Sequence, residues 1–234
     1  MLAAFDGRQP VRVLGGLAIW MTCRSARGGP LRRDYADADF VALKRDRVAI
    51  GQRMVELGYF PDKRFNSLHG DQRLYFHDRV NERHVDFFVD ALRMCHTIDL
   101  RRRIVLVPDV LPASDLLLTK LQVVELNRKD TIDLLALLHD RRLAAGENSE
   151  FDSDYLGWLW GADWGLWNTC GLTLRKCAAS ARELAGQDLE VSILEKVRSL
   201  EGLLETCPKT IGWRARARIG ERMRWYESPD EVVR

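Results

Sequence analysis

What this chain lacks narrows its class before any motif is read. No window reaches the ~18 consecutive apolar residues that a membrane-spanning helix needs. The segment Met1 to Pro10 carries Asp6 and Arg8 where a secretory leader needs an apolar stretch, which predicts a cytoplasmic protein with no membrane partner. Cysteine is sparse: Cys23, Cys95, Cys170, Cys177 and Cys207 are odd in number and never spaced Cys-x-x-Cys. That excludes a disulfide framework and a zinc knuckle and predicts reduced, packed thiols. An excess of one charge is missing too, since 36 basic residues face 34 acidic ones for a net charge of +2. Any nucleic-acid surface would therefore be local. There is no internal repeat and no low-complexity tract. What remains, 234 residues with 46% hydrophobic and 30% charged, suffices for one large domain or two small ones with an ample core.

The first half mixes strand-like and helix-like runs. Val11 to Leu14 reads as a buried strand, Gly15-Gly16 punctuates it, and Leu17 to Cys23 reads as an apolar helix. A Gly- and Arg-rich loop, Arg24 to Arg33, leads to a strand over Asp37 to Leu43. Arg45 to Leu57 reads as a helix ended by Gly58. Gln72 to Phe76 and His84 to Val89 read as strands joined by a polar turn, and Ile104 to Val107 as a short strand stopped by Pro108. From Ala113 the period becomes 3.6, with one helix from Ser114 through Leu126 and another from Lys129 to Leu143. The polar segment Ala145 to Ser153 predicts a boundary between domains at 1–145 and 146–234. Beyond it four helices are expected: Asp154 to Trp167, Leu172 to Leu184, Leu189 to Thr206 and Ile211 to Tyr226, with Pro208 and Pro229 as punctuation.

Chemistry-bearing residues begin at Asp37-Ala38-Asp39. Alternation along a strand sends both carboxylates to one face and Ala38 and Phe40 to the other. Two such close anions repel, and a hard divalent cation, magnesium or manganese, relieves the repulsion. Asp86 lies inside the apolar run Val85-Asp86-Phe87, where a buried unpaired acid costs several kcal/mol. It needs either a cation or an arginine such as Arg83 or Arg103. As a third carboxylate beside Asp37 and Asp39 it would complete a two-metal cluster, one ion positioning a triphosphate and one activating a hydroxyl. Asp90 has the same parity and is a rival for that place. A metal-bound nucleotide-sugar, as in glycosyltransferases, is the alternative use of the Asp37 and Asp39 pair.

Gly15-Gly16 between strand and helix allows close approach of phosphate oxygens to a helix N-terminus, or else makes a tight packing turn. Lys120 stands in an otherwise apolar helix and either snorkels or answers a negative group. Asp130 and Asp133 share one helical face at i, i+3, which by itself reads as a capped, solvated helix start with Asp130 near the N-terminal dipole. Trp160, Trp164 and Trp167 form a stripe, for packing or as a platform for a base. Arg214, Arg216, Arg218, Arg222 and Arg224 make a basic helix, either solvated or tracking RNA together with Arg24, Arg27 and Arg32.

The order of these pieces resembles the nucleotidyltransferase superfamily of polymerase-beta-like fold. The match lies closest to the branch of abortive-infection nucleotidyltransferase toxins and their uncharacterised bacterial and archaeal relatives. The motifs that carry it are Gly15-Gly16, then Arg33-Asp34-Tyr35-Ala36-Asp37-Ala38-Asp39, Val85-Asp86-Phe87, Leu118-Thr119-Lys120-Leu121 and Arg128-Lys129-Asp130-x-x-Asp133. The resemblance implies an α+β fold: a mixed β-sheet nucleotidyltransferase domain packed with helices, then a C-terminal helical bundle. It implies transfer of a nucleoside monophosphate from a triphosphate to an acceptor hydroxyl on RNA, protein or a small molecule, and an antitoxin as a partner. Asp37, Asp39 and Asp86 would be catalytic and metal-binding, with Asp86 on the second ion and acting as base. Gly15, Gly16, Arg33, Lys120, Asp130 and Asp133 would bind the nucleotide. Three features depart from the pattern. Tyr35 stands where Ser or Thr is usual, the loop from Gly16 to Asp37 is long, and no helix precedes the first strand. The first and the last motivate a second reading, a non-catalytic relative that binds a nucleotide or a partner.

Overall fold

The computed structural model describes residues 2–5, 9–146 and 150–228. The fold is α+β, with a mixed five-stranded sheet, helices around it and further helices towards the C-terminus. Contacts gather into two compact units. The first comprises the chain up to Thr22 with Asp34–Leu92 and Thr97–Pro112; the second comprises Cys23–Arg33, Arg93–His96 and Ala113 onward.

In the first unit, β1 (Arg12–Leu14) runs into α1 (Gly15–Thr22), followed by β2 (Asp37–Ala42) and α2 (Arg47–Glu56). After these come β3 (Phe60–Pro61), α3 (Lys63–His69), β4 (Arg73–Asp78) and β5 (Arg83–Val89). The sheet order is β1-β2-β5-β4-β3, with β2 and β5 parallel and every other pair antiparallel. The β4–β5 turn is built by Asp78, whose Oδ1 accepts from the amides of Val80 and Asn81. One face of the sheet is apolar because Phe40, Phe76 and Phe87 share its parity. Phe40 stacks on Phe87 at 5.1 Å between ring centroids, and Phe76 and Phe5 meet the same ring edge-on. Burying a ring of this size contributes about 1.5–3 kcal/mol. Sequence alternation therefore dictates which face keeps the acids.

Two local features of this unit differ from the sequence reading. Ile104 to Val107 is no strand: the amides of Arg103 and Ile104 bond back to the Leu100 carbonyl, and Leu106 to that of Arg103, forming consecutive turns. The short run between three arginines and Pro108 satisfies its backbone locally. The unassigned stretch before Gln72 forms α3, started by Asp62, whose carboxylate accepts from the Phe65 amide.

The second unit is helical: α4 (Ala113–Leu121), α5 (Arg128–Asp140), α6 (Ser153–Ala162), α7 (Trp164–Ala185), α8 (Gln187–Thr206) and α9 (Ile211–Ile219). Leu143–Ala144 pairs in parallel with Phe151–Asp152 across the polar segment, of which residues 147–149 lie outside the described residues. Pro229, read as a terminal break, also lies outside them.

The chain breaks at Asp163 rather than after Trp167, because the Asp163 carboxylate caps α7 by accepting from Gly165 and Leu166. The tryptophan stripe is thereby divided, with Trp160 fully buried on α6 and Trp164 buried on α7. Trp167 donates its indole N–H to the Leu204 carbonyl, so all three pack the helices. α9 stops at Gly220, whose φ of +60° only glycine adopts easily, so the basic run is not one continuous helix. All five free cysteines are buried, and burial pushes the Cys170 and Cys177 thiols up to about 12. No helix among the described residues is long and apolar enough to cross a membrane.

Candidate functional site

The parallel pairing of β2 with β5 places Asp39 opposite Asp86 and Asp37 opposite His84. Registered residues of neighbouring strands point to the same side, so Asp37, Asp39, His84 and Asp86 share one face. The β4 register adds Tyr75 opposite Asp86 and His77 opposite His84. Asp37 and Asp39 are half-buried, whereas Asp86 is 4% exposed. His84 stacks on Tyr75, and its buried Nδ1 has no hydrogen-bond partner among the described residues.

Gly15 and Gly16 open α1 beside these acids, with Leu14 registered against Asp39. Gly15 has φ +66°, and a Cβ added there would collide with Asp39 Oδ2. Glycine is thus required twice, by backbone conformation and by the carboxylate lying against it. The turn brings the N-terminus of α1, the end that favours anions, next to the Asp39 side chain.

Asp86 is held by a residue that sequence reasoning missed. Arg73 donates Nε to Oδ1 at 2.7 Å and Nη2 to Oδ2 at 2.8 Å, a bidentate pair. Burial works against the charge of Arg73, yet its pKa is raised because the bonds and charge of Asp86, and then the charge of Asp39, outweigh that cost. The usable signal was parity: Arg73, Tyr75 and His77 alternate with Leu74 and Phe76, and the hairpin register sets them on the Asp86 face. Arg83 and Arg103, the sequence candidates, do not fill this role. Asp90 lies past the end of β5 with φ +62° and accepts from the Lys44 amide just beyond β2.

The other four predicted residues meet each other in the second unit. Arg33 donates to both oxygens of Asp133, at 2.7 Å and 2.6 Å. Lys120 Nζ lies 2.6 Å from Asp130 Oδ1 and 3.0 Å from Asp133 Oδ2. Asn127 caps α5 by accepting from the Asp130 amide. Asp133 is fully buried, and the network answers its charge with two cations. Burial opposes the Lys120 charge, but Asp133 and then Asp130 raise its pKa above the ordinary lysine value. Of the basic run, Arg216 donates to the Gly220 and Met223 carbonyls, while Arg214, Arg218, Arg222 and Arg224 are exposed.

Among the described residues, no three His, Cys, Asp or Glu side chains converge closely enough to hold a metal by themselves. Magnesium, however, is commonly held by one or two carboxylates with substrate phosphates and water. Asp37 and Asp39 lie half-buried on one face beside a helix N-terminus and are of the donor type such an ion takes. Asp86, with both oxygens on Arg73, does not fit a second. No family model matches the chain, and no curated protein or solved structure matches it either.

Proposed function

We propose that the sheet unit is a nucleotidyltransferase-type site. It binds a nucleoside triphosphate with one divalent ion at Asp37 and Asp39. It transfers the nucleoside monophosphate to an acceptor hydroxyl. The observation that supports this best is the register that sets Asp39 beside Asp86 with Asp37 on the same face, against the Gly15 turn. In the reaction the acceptor hydroxyl gives its proton to water, since both Asp86 oxygens accept from Arg73; its oxygen bonds to the α-phosphorus, the bond from that phosphorus to the oxygen bridging to the β-phosphate breaks, and pyrophosphate leaves.

The chain's own contributions follow from the geometry. The Gly15-Gly16 backbone lets phosphate oxygens approach the first amides of α1. Asp37 and Asp39 hold the ion, which when bound offsets the charge of the triphosphate and the carboxylates. Arg73 fixes Asp86 and adds a positive charge that also acts on Asp39.

Incubation with labelled triphosphates and magnesium tests this reading. Asp39→Ala should reduce incorporation by about 10²–10³-fold, the usual loss on removing one transition-state charge contact. Incorporation that survives the substitution would refute the mechanism. Magnesium-dependent triphosphate binding with no product would instead assign the site to a nucleotide-binding relative, a reading that the hold of Arg73 on Asp86 favours.

A further inference from the structure

We infer that Arg73 takes the place of a second metal ion, so that the site works with a single divalent cation. The inference rests on the proposed nucleotide site and concerns how that site balances its charge.

Both oxygens of Asp86 are occupied by the Arg73 guanidinium, through Nε at 2.7 Å and Nη2 at 2.8 Å. The side chains are 26% and 5% exposed, so this is a largely buried pair rather than a solvated surface contact. Arg73 is held from other sides as well. Its guanidinium carbon lies 4.9 Å from the Phe88 ring centroid and 5.9 Å from that of Phe65. A planar guanidinium gripped by a carboxylate and two rings is a fixed charge.

That charge also acts on Asp39, the residue registered beside Asp86 on the parallel strand. A second divalent ion at Asp86 would have to displace Arg73 from both oxygens and leave a partly buried guanidinium without its carboxylate, next to the incoming cation. Asp86 is accordingly the anchor of Arg73, and Arg73 is a positioning residue.

Manganese binding reads this directly, with or without turnover. The intact chain would be titrated with Mn²⁺ in the presence of a non-hydrolysable α,β-methylene triphosphate and followed by electron paramagnetic resonance. Wild type should bind one ion per chain and give an uncoupled signal. Arg73→Gln keeps a donor for Asp86 but releases one of its oxygens. It should bind two ions per chain and show the dipolar coupling of ions about 3.5–4 Å apart. Arg73→Lys, which keeps the charge, should stay at one.

A coupled pair in wild type would overturn the inference while leaving the nucleotide site standing. A folded Arg73→Gln chain that still binds a single ion would overturn it too. A wild-type chain that binds neither manganese nor the analogue would defeat the proposed site itself. Should Arg73→Gln fail to fold, the wild-type count decides alone.

Discussion

Asp133→Ala should lower the free energy of unfolding by about 3–5 kcal/mol, the loss expected when one member of a buried ionic network is removed. Asp133 is fully buried and receives two Arg33 bonds and a Lys120 contact. Without it, two cations at 15% and 10% side-chain exposure lose a fully buried counter-charge, and Lys120 keeps Asp130. For a chain of this size the melting midpoint should drop by roughly 6–20 °C. A loss below 1 kcal/mol would mean that water or other groups solvate these cations.

The same network has a pH signature. The Lys120 pKa is raised in the folded state, so its stabilisation is fully present below the unfolded value of about 10.4. It is lost as pH rises through the higher folded value. The difference in melting midpoint between wild type and Lys120→Met should hold constant from neutrality to about pH 10 and narrow above it. A difference that shrinks already near neutrality would contradict the raised value.

Gly15→Ala should reduce nucleotide incorporation by about 100-fold, the scale of a 1 Å misplacement in an active site. Two effects combine at this position. An alanine must adopt φ +66°, which costs about 1–2 kcal/mol. Its Cβ would also press on Asp39 Oδ2, with Asp39 Cγ and Cβ 3.2 Å and 3.3 Å away, so the whole carboxylate must move. Gly58→Ala separates the two effects. Gly58 has φ +87° but nothing within 4 Å of an added Cβ. It should lower the melting midpoint by a similar few degrees and leave incorporation intact. Equal loss of activity in both variants would show that backbone strain, rather than displacement of Asp39, is responsible.

Some of this was legible in the amino-acid order. Strand alternation alone put Asp37 and Asp39 on one face, and Asp86 was readable as a costly acid within an apolar strand. The turn at Asp78 follows from short-range side-chain chemistry, which sequence records well. The parallel pairing of β2 with β5 was not legible, because it joins segments separated by the helices α2 and α3 and the strands β3 and β4. Arg73 escaped notice because its partnership depends on that hairpin register, although the two residues lie only 13 apart in the chain. Arg33 and Asp133 lie 100 residues apart, beyond any local pattern. The single helix α7 spans Trp164–Ala185, where the periodicity predicts separate segments ending at Trp167 and starting at Leu172; Gly171 lies between them. The helix absorbs it by burying it.

Anomalous diffraction from crystals grown with Mn²⁺ and a non-hydrolysable triphosphate would test the central claim most directly. One anomalous peak is predicted within about 2–2.3 Å of carboxylate oxygens of both Asp37 and Asp39, with phosphate oxygens at the Gly15-Gly16 turn. An ion and a triphosphate bound elsewhere, with neither carboxylate coordinating, would contradict it.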